Sequence, residues 1–529
     1  MKKTVLAVFV LLSAVPAQTA RWTWTYDGPA AMWDQAWRIR CGPDSGVYVC
    51  GDGQANSIPL TFEMTTAALT GSGNQRWVYR FTGPGSRLGQ AYDLAITGDR
   101  NLVVAGTNWD IVTANDFAVL GVSDSGTLRW AYRIADSGIG IARAVVCDRD
   151  GNAYACGTTE DYGRFTVASL SPEGVERWLW SSGGAGEAMA IAMDSAGRIY
   201  LAGYAAYPEQ NHHFAVWQLD WPGAIGLTLG TRSRDTAVAV AVGSDGNVYA
   251  AGHMDMGATG PDIVVISLDT SLNFSQRWFY SYDHAGGIDQ TQALLCGRDG
   301  NVYVAGLSFL ADSAGVAFIV LSLTGDGQFR WVYSDTGGRA AAFNIASGLA
   351  EDADGNIYAC GTLAGTESTH MDAVVTSLTA SGERRWRYLF AGPDTVADNF
   401  SSIAFGPDGN LYACGTTGDP PNSDWVVVSL TTAGAVAERQ TADGIRHTAS
   451  AVTVFRDRIA LHPRGFGTAE VTVRLRDVTG RTVLAQRARV SSDRLVLDDP
   501  ALAMLSPGAY FLELAAGTRS VWFKIVKVH

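Results

Sequence analysis

The 529-residue chain carries 39 Lys and Arg against 52 Asp and Glu, for a net charge of -13, and it contains 60 glycines. An acidic chain of this kind lacks the basic footprint that nucleic acid or an anionic lipid surface needs, so neither is expected as a partner. Sixteen Trp, 19 Tyr and 19 Phe with only 17% charged residues suit a turn-dense all-β protein, long enough for one large domain and a smaller one.

Residues 1–20 place Lys2 and Lys3 before an apolar core from Val5 to Leu12 and end in small residues, the pattern of a secretory signal peptide. Cleavage is expected after Ala17 or Ala20, and no other stretch could span a membrane. The mature chain is therefore expected to leave the cytoplasm through the periplasm, with no transmembrane segment. Arg21 to Tyr26 (RWTWTY) reads as a lone strand, expected to pair with the last repeat and lock a ring.

From residue 27 one short sentence is written eight times, as in Asp352 to Gly361 (DADGNIYACG). Its copies end at Gly51, Gly106, Gly157, Gly203, Gly252, Gly306, Gly361 and Gly415, spaced 46 to 55 residues apart. Each copy reads as a hairpin, because Gly and Asn tolerate the positive φ of tight turns. A second hairpin follows, in most copies with an Arg-Trp strand at Trp77, Trp130, Trp178, Trp278, Trp331 or Trp386. Four strands per roughly 50-residue period specify a propeller blade. The expected fold is all-β: an eight-bladed β-propeller over 21–445, with seven blades as the alternative, followed by a small C-terminal β-sandwich over 446–529.

The turns before the tryptophans and at Asp-Gly-Asn share one rim and stay short, whereas the opposite rim carries loops of varied length. Binding usually resides on variable loops held by a rigid scaffold. The candidate ligand-binding residues are therefore Trp109, Asp110, Tyr162, Tyr207, His213, His253 and His370 on that rim. Asp148 to Asn152 and Asp352 to Asn356 begin like calcium loops, but they lack the third ligand and distal glutamate that such a loop needs, so they read as turns. The few histidines fall on different blades. No catalytic motif stands out, and neither a metal nor a cofactor is expected. Cys41 with Cys50, and Cys147 with Cys156, flank hairpin turns and could form cross-strand disulfides in an extracytoplasmic protein.

The unit from Asp372 to Gly415 resembles the bacterial secreted β-propeller repeat known as the SBBP repeat. At Leu378, Gly382 and Trp386 it is also similar to the tryptophan-docking pattern of quinoprotein-type propellers. After Gly444 the repeat stops and five alternating runs follow: Val471 to Leu475, Thr482 to Gln486, Arg494 to Leu497, Tyr510 to Leu514 and Ser520 to Val526. Asp477, Gly480 and Arg481, then Pro507, Gly508 and Tyr510, and Lys524 in the final strand, resemble the type A sorting domain of type IX secretion cargo. The entry Leu461-His462-Pro463-Arg464 departs from that pattern. The resemblance implies the type IX machinery as a partner and a secreted or outer-membrane surface location. The functions to weigh are a binding or adhesion module for an extracellular glycan or protein, an extracellular hydrolase, and a surface-layer component.

Overall fold

The computed structural model describes residues 18–30, 32–57, 60–83, 86–110, 114–135, 138–159, 163–206, 211–220, 222–230, 235–257, 260–270, 273–284, 286–310, 315–337, 343–364, 371–392, 397–418 and 422–432. Towards the C-terminus it describes 453–455, 459–461, 469–477, 481–490, 495–497, 499–505, 508–516 and 519–527. Two compact units result, one over Ala17–Gly434 and one drawn from Ala435–His529. Among the described residues the only helix is Pro500–Ala503, and no helix is long and apolar enough to cross a membrane.

The large unit is a β-propeller-like fold of small antiparallel sheets. Among the described residues the strands fall into eight groups of four, here called modules 1 to 8. Their first strands are Asp34–Cys41, Ser86–Ile96, Ile141–Cys147, the second half of Glu176–Met193, Thr236–Val242, Asp289–Cys296, Ile345–Glu351 and Asn399–Phe405. Each first strand touches the first strands of the two neighbouring modules, and Asn399–Phe405 meets Asp34–Cys41, so the sequence of contacts returns on itself. The N-terminal strand Ala20–Tyr26 is the fourth strand of module 8, antiparallel to Asp424–Thr431, as its lone position in the sequence led us to expect.

The repeated glycine has a steric cause. In every module the first strand carries one extra residue opposite that glycine: Ala36 faces Gly51 and Arg38 faces Cys50, which leaves Trp37 as a β-bulge. The same shift occurs at Tyr92, Arg143, Met189, Val238, Gln292, Ser347 and Ser401. The bulge turns a carbonyl oxygen (Gln35, Gln90, Ile141, Glu187, Thr236, Gln290, Ile345 or Asn399) onto the facing glycine, well inside contact distance of any Cβ placed there.

The tryptophans join modules to each other. The Nε1 of Trp77 donates to Asp124 O (2.7 Å), and those of Trp130, Trp278 and Trp331 donate to Pro172, Gly325 and Ala380 O (2.9 Å each). In each case the acceptor belongs to the turn of the next module, where a positive-φ glycine (Gly126, Gly174, Gly327 or Gly382) lies under the indole ring. Trp22 on the N-terminal strand makes the same contact with module 1, reaching Gly71 O at 3.0 Å above Gly73.

In the C-terminal unit, Thr453–Phe455, Arg519–Lys527, Gly508–Ala516, Ala469–Asp477 and Thr482–Val490 form a five-stranded sheet in that order. Ile459–Leu461 and Leu495–Leu497 form a two-stranded one. Ile459, Leu495 and Leu497 share one buried cluster with Val471, Val473, Leu475, Leu512 and Leu514. Of the candidate sorting residues, Asp477 and Tyr510 are direct cross-strand partners, Lys524 faces Phe511, and Gly508 faces Lys527. Arg481 is exposed at the entry to its strand, while Gly480 and Pro507 lie outside the described residues.

Because the bulge carbonyl occupies the Cβ position, Gly252→Ala is expected to destabilise the large unit by at least about 2 kcal/mol. Gly183→Ala, in open space at negative φ, should stay within about 0.5 kcal/mol of the parent. Equilibrium denaturant unfolding of both variants measures the difference.

Candidate functional site

Most polar residues of the repeat hold the scaffold. In the hairpin turn of module 7, Asp352 Oδ1 accepts from Asp354 N and Asn356 N (2.9 Å each), and Oδ2 accepts from Asn356 Nδ2 (2.9 Å) and Tyr358 Oη (2.6 Å). Arg385 in turn donates to Tyr358 Oη and Ser377 Oγ, 3.1 Å each. Burial opposes ionisation of Asp352, but the donations from Tyr358 and Asn356 outweigh it and hold the carboxyl below its usual range. Asp148, with Asn152 and Tyr154, repeats the arrangement. Both loops that begin like calcium sites are thus turns whose carboxylates are taken up by protein donors.

A second recurring acid or amide sits where the chain enters a first strand. Asp34 Oδ2 and Oδ1 accept from Gly28 N (2.6 Å) and Gln54 N (2.8 Å). Asp235, Asp289, Asn344 and Asp398 accept from Asp255, His284, Ala364 and Gly392 N at 2.7 to 2.8 Å. Two acidic groups contain these clamps, Asp27 with Asp34 and Asp424, and Asp262 with Asp283 and Asp289, each offering oxygens within 4.8 Å of one another. No histidine belongs to either among the described residues. Burial pushes Asp34 up to about 6 and raises Asp289 as well.

Of the rim residues singled out from the sequence, those described stand on modules 2, 4 and 5. Trp109 is half-buried, facing Leu88 and Asn115, and Asp110 follows it in the same strand. His213 faces Ala205 in module 4. His253 faces Thr236 and Ile263 in module 5, where burial pushes its imidazole pKa down. Tyr162, Tyr207 and His370 lie outside the described residues.

The disulfide expectation is corrected: all seven cysteines are free. The register places Cys41 opposite Val47 and Cys50 opposite Arg38, and likewise Cys147 opposite Ala153 and Cys156 opposite Ala144. Each second cysteine lies three residues beyond the true partner of the first, an odd offset that leaves each pair on opposite faces of its hairpin, packed into different apolar clusters.

Sequence reasoning missed a charged and aromatic cluster on the first strands of modules 1 to 4. Arg38 Nε and Arg40 Nη2 lie 3.2 and 3.1 Å from the same Oδ1 of Asp93. The other oxygen of this buried carboxylate accepts from Val145 N (3.1 Å), so one side chain ties three modules together. Arg143 Nε pairs with Glu187 Oε1 (2.5 Å), and its guanidinium lies 5.0 Å from the Tyr92 ring centre. Tyr204 Oη reaches Glu187 Oε2 (3.2 Å), and its ring stacks on His212 at 3.9 Å. Trp37 Nε1 donates to Asp52 Oδ1 (2.5 Å). Burial pushes Asp52 up to about 7, against the opposing hydrogen bond from Trp37. The available signal was the break in an otherwise small and apolar pattern: AWRIR and AYDLA against AVAVA in module 5.

No family model matches this chain, and no curated protein does. Several solved structures resemble it at low identity. PorZ, a surface component of the type IX secretion system of Porphyromonas gingivalis, is 10% identical over 93% of this chain and 74% of its own, with a TM-score of 0.40. Chaetomium thermophilum Sqt1, bound to the N-terminus of ribosomal protein L10, is 11% identical over 77% and 98%, with a TM-score of 0.49. The β-propeller domain of the Trilobed protease from Pyrococcus furiosus is 12% identical over 72% and 93%, with a TM-score of 0.32.

The raised pKa of Asp52 fixes the sign of a pH effect. The folded state holds this proton up to about pH 7, whereas the unfolded chain releases it near pH 4. The contribution is therefore fully present below pH 4 and lost as pH rises through 7. Asp52→Asn is expected to flatten the fall in stability between pH 4 and 7, by something on the order of 3 kcal/mol. Unfolding midpoints of parent and variant across that range measure it.

Proposed function

We propose that this chain is a secreted or cell-surface binding module. Its eight modules are the blades of a β-propeller, and its C-terminal unit is a small β-sandwich that acts as a type A sorting domain for the type IX secretion machinery. The observation that carries the binding reading is the cluster on modules 1 to 4. There, Trp37, Tyr92 and Arg143 occupy the bulge positions that modules 5 to 8 fill with Val238, Gln292, Ser347 and Ser401, and Arg38 and Arg40 stand half-exposed beside them. The export reading is supported by the sorting-type residues, two of which, Asp477 and Tyr510, sit side by side across neighbouring strands.

Export is tested in the native host by fractionating cells that make the full chain or a version ending at Gly444. The shorter chain is expected to be retained in the periplasm while the full chain reaches the surface or medium. Equal export of both contradicts the sorting role.

The fold also bears on signal-peptide processing. Gln18 is buried: its backbone N donates to Arg387 O (3.2 Å), and its Nε2 donates to Thr431 O (2.5 Å) and Oγ1 (2.8 Å). Ala20 pairs with Leu430. Cleavage after Ala20 would remove all of these contacts, and cleavage after Ala17 would keep them. The exported protein is expected to begin at Gln18, which intact-mass analysis will show; a chain beginning at Arg21 contradicts it.

A further inference from the structure

We propose that the cluster on modules 1 to 4 is a binding site for an acidic carbohydrate, a uronate-bearing glycan whose carboxylate docks on Arg38. This deepens the reading of the large unit as a binding module and rests on it.

The scaffold does not require these charges. One residue past the bulge, where modules 1 and 2 carry Arg38 and Asp93, the others carry Ala144, Ala190, Ala239, Ala293, Gly348 and Ser402. Three past the bulge, Arg40 stands where modules 2 to 5 carry Ala95, Val146, Ala192 and Ala241. Backbone geometry and register are the same in all of them. The charged side chains are therefore additions to a fold that closes with small residues.

Cations outnumber the carboxylates that face them. Arg38, Arg40 and Arg143 meet Asp93 and Glu187. The third acid nearby, Asp52, is driven towards its neutral form near pH 7 by burial. One oxygen of Asp93 serves both Arg38 and Arg40, and its other oxygen is taken by Val145 N. The Arg38 contact uses Nε alone, and its two terminal nitrogens have no partner among the described residues. With its side chain 38% exposed, Arg38 presents the open edge of a guanidinium, which takes a carboxylate through two parallel hydrogen bonds.

The surroundings select a sugar as the carrier of that carboxylate. Trp37 and Tyr92 occupy the adjoining bulges, half-buried, with Arg143 over one face of the Tyr92 ring, and their remaining aromatic surface suits the apolar face of a pyranose. Gln90 with Tyr92, and Tyr204 with Glu187, supply paired acceptors and hydroxyls for ring alcohols. A peptide carboxylate would use the guanidinium but not this alternation of ring faces and hydroxyl-bonding groups.

The test is calorimetric titration of the full chain, as parent and as Arg38→Ala, with trigalacturonate, its methyl ester and a glutamate-terminated peptide. The alanine variant reproduces what modules 3 to 6 already carry, so it fits the fold, and its melting temperature verifies this. If it nevertheless melts early, Arg38→Gln takes its place. The expected result is salt-sensitive binding of trigalacturonate, weakened about tenfold or more in the variant, with no binding of the ester. Failure of trigalacturonate to bind the parent, equal binding to parent and variant, or equal binding of acid and ester overturns the proposal. Binding of the peptide in place of the sugar overturns the glycan assignment. The export experiment does not involve Arg38, so loss of this site and loss of the sorting role are separately observable.

Discussion

The structure depends on one steric constraint repeated eight times: a β-bulge in each first strand that drives a carbonyl oxygen into the space above a glycine. A bulge bends its strand and increases its twist, and here it does so at equivalent points of strands that touch in succession until the last meets the first. Any side chain at Gly51, Gly106 or their equivalents would push that carbonyl away and flatten the bend. The glycine that ends each repeat is thus part of the mechanism that curves the domain, and the period of the sequence is the period of that bend.

Around this bend the contacts between modules are directional. Each docked indole combines ring burial against a positive-φ glycine with a hydrogen bond to a turn carbonyl, and burial of an indole favours such a partner for its N–H. The N-terminal strand contributes Trp22 to the same series, so the module assembled from both ends of the domain is joined to module 1 as the others are joined to their neighbours.

Much of this was legible in the sequence. The glycine period, the hairpin turns and the Arg-Trp strands each carry a local cause, and they gave the strand pattern and the pairing of residues 21–26 with the last module. The cysteines were misread for a specific reason. The hairpins are centred so that Cys41 pairs with Val47 and Cys147 with Ala153, and a second cysteine three residues farther along its strand points to the other face. The cluster on modules 1 to 4 was overlooked for a different reason. Loop length drew attention to the rim, while Arg38, Asp93 and Arg143 lie inside strands that otherwise read as scaffold. Only comparison of each first strand with its own repeats separates AWRIR from AVAVA.

That comparison also bears on why the charges are present. A carboxylate as buried as Asp93 is costly unless it is paired and hydrogen-bonded, and replacing a buried ion network with apolar residues is often neutral or stabilising. Modules 3 to 6 show that such a replacement suits this fold, with alanine at the equivalent positions. The network is therefore weakly explained by stability. Asp93 aligns Arg38 and Arg40 without saturating them, and Glu187 holds Arg143 over Tyr92 while accepting from Tyr204. An arrangement in which buried acids orient cations that still reach solvent is suited to holding an external anion, because the entropy of fixing the guanidiniums is spent on folding and not on binding.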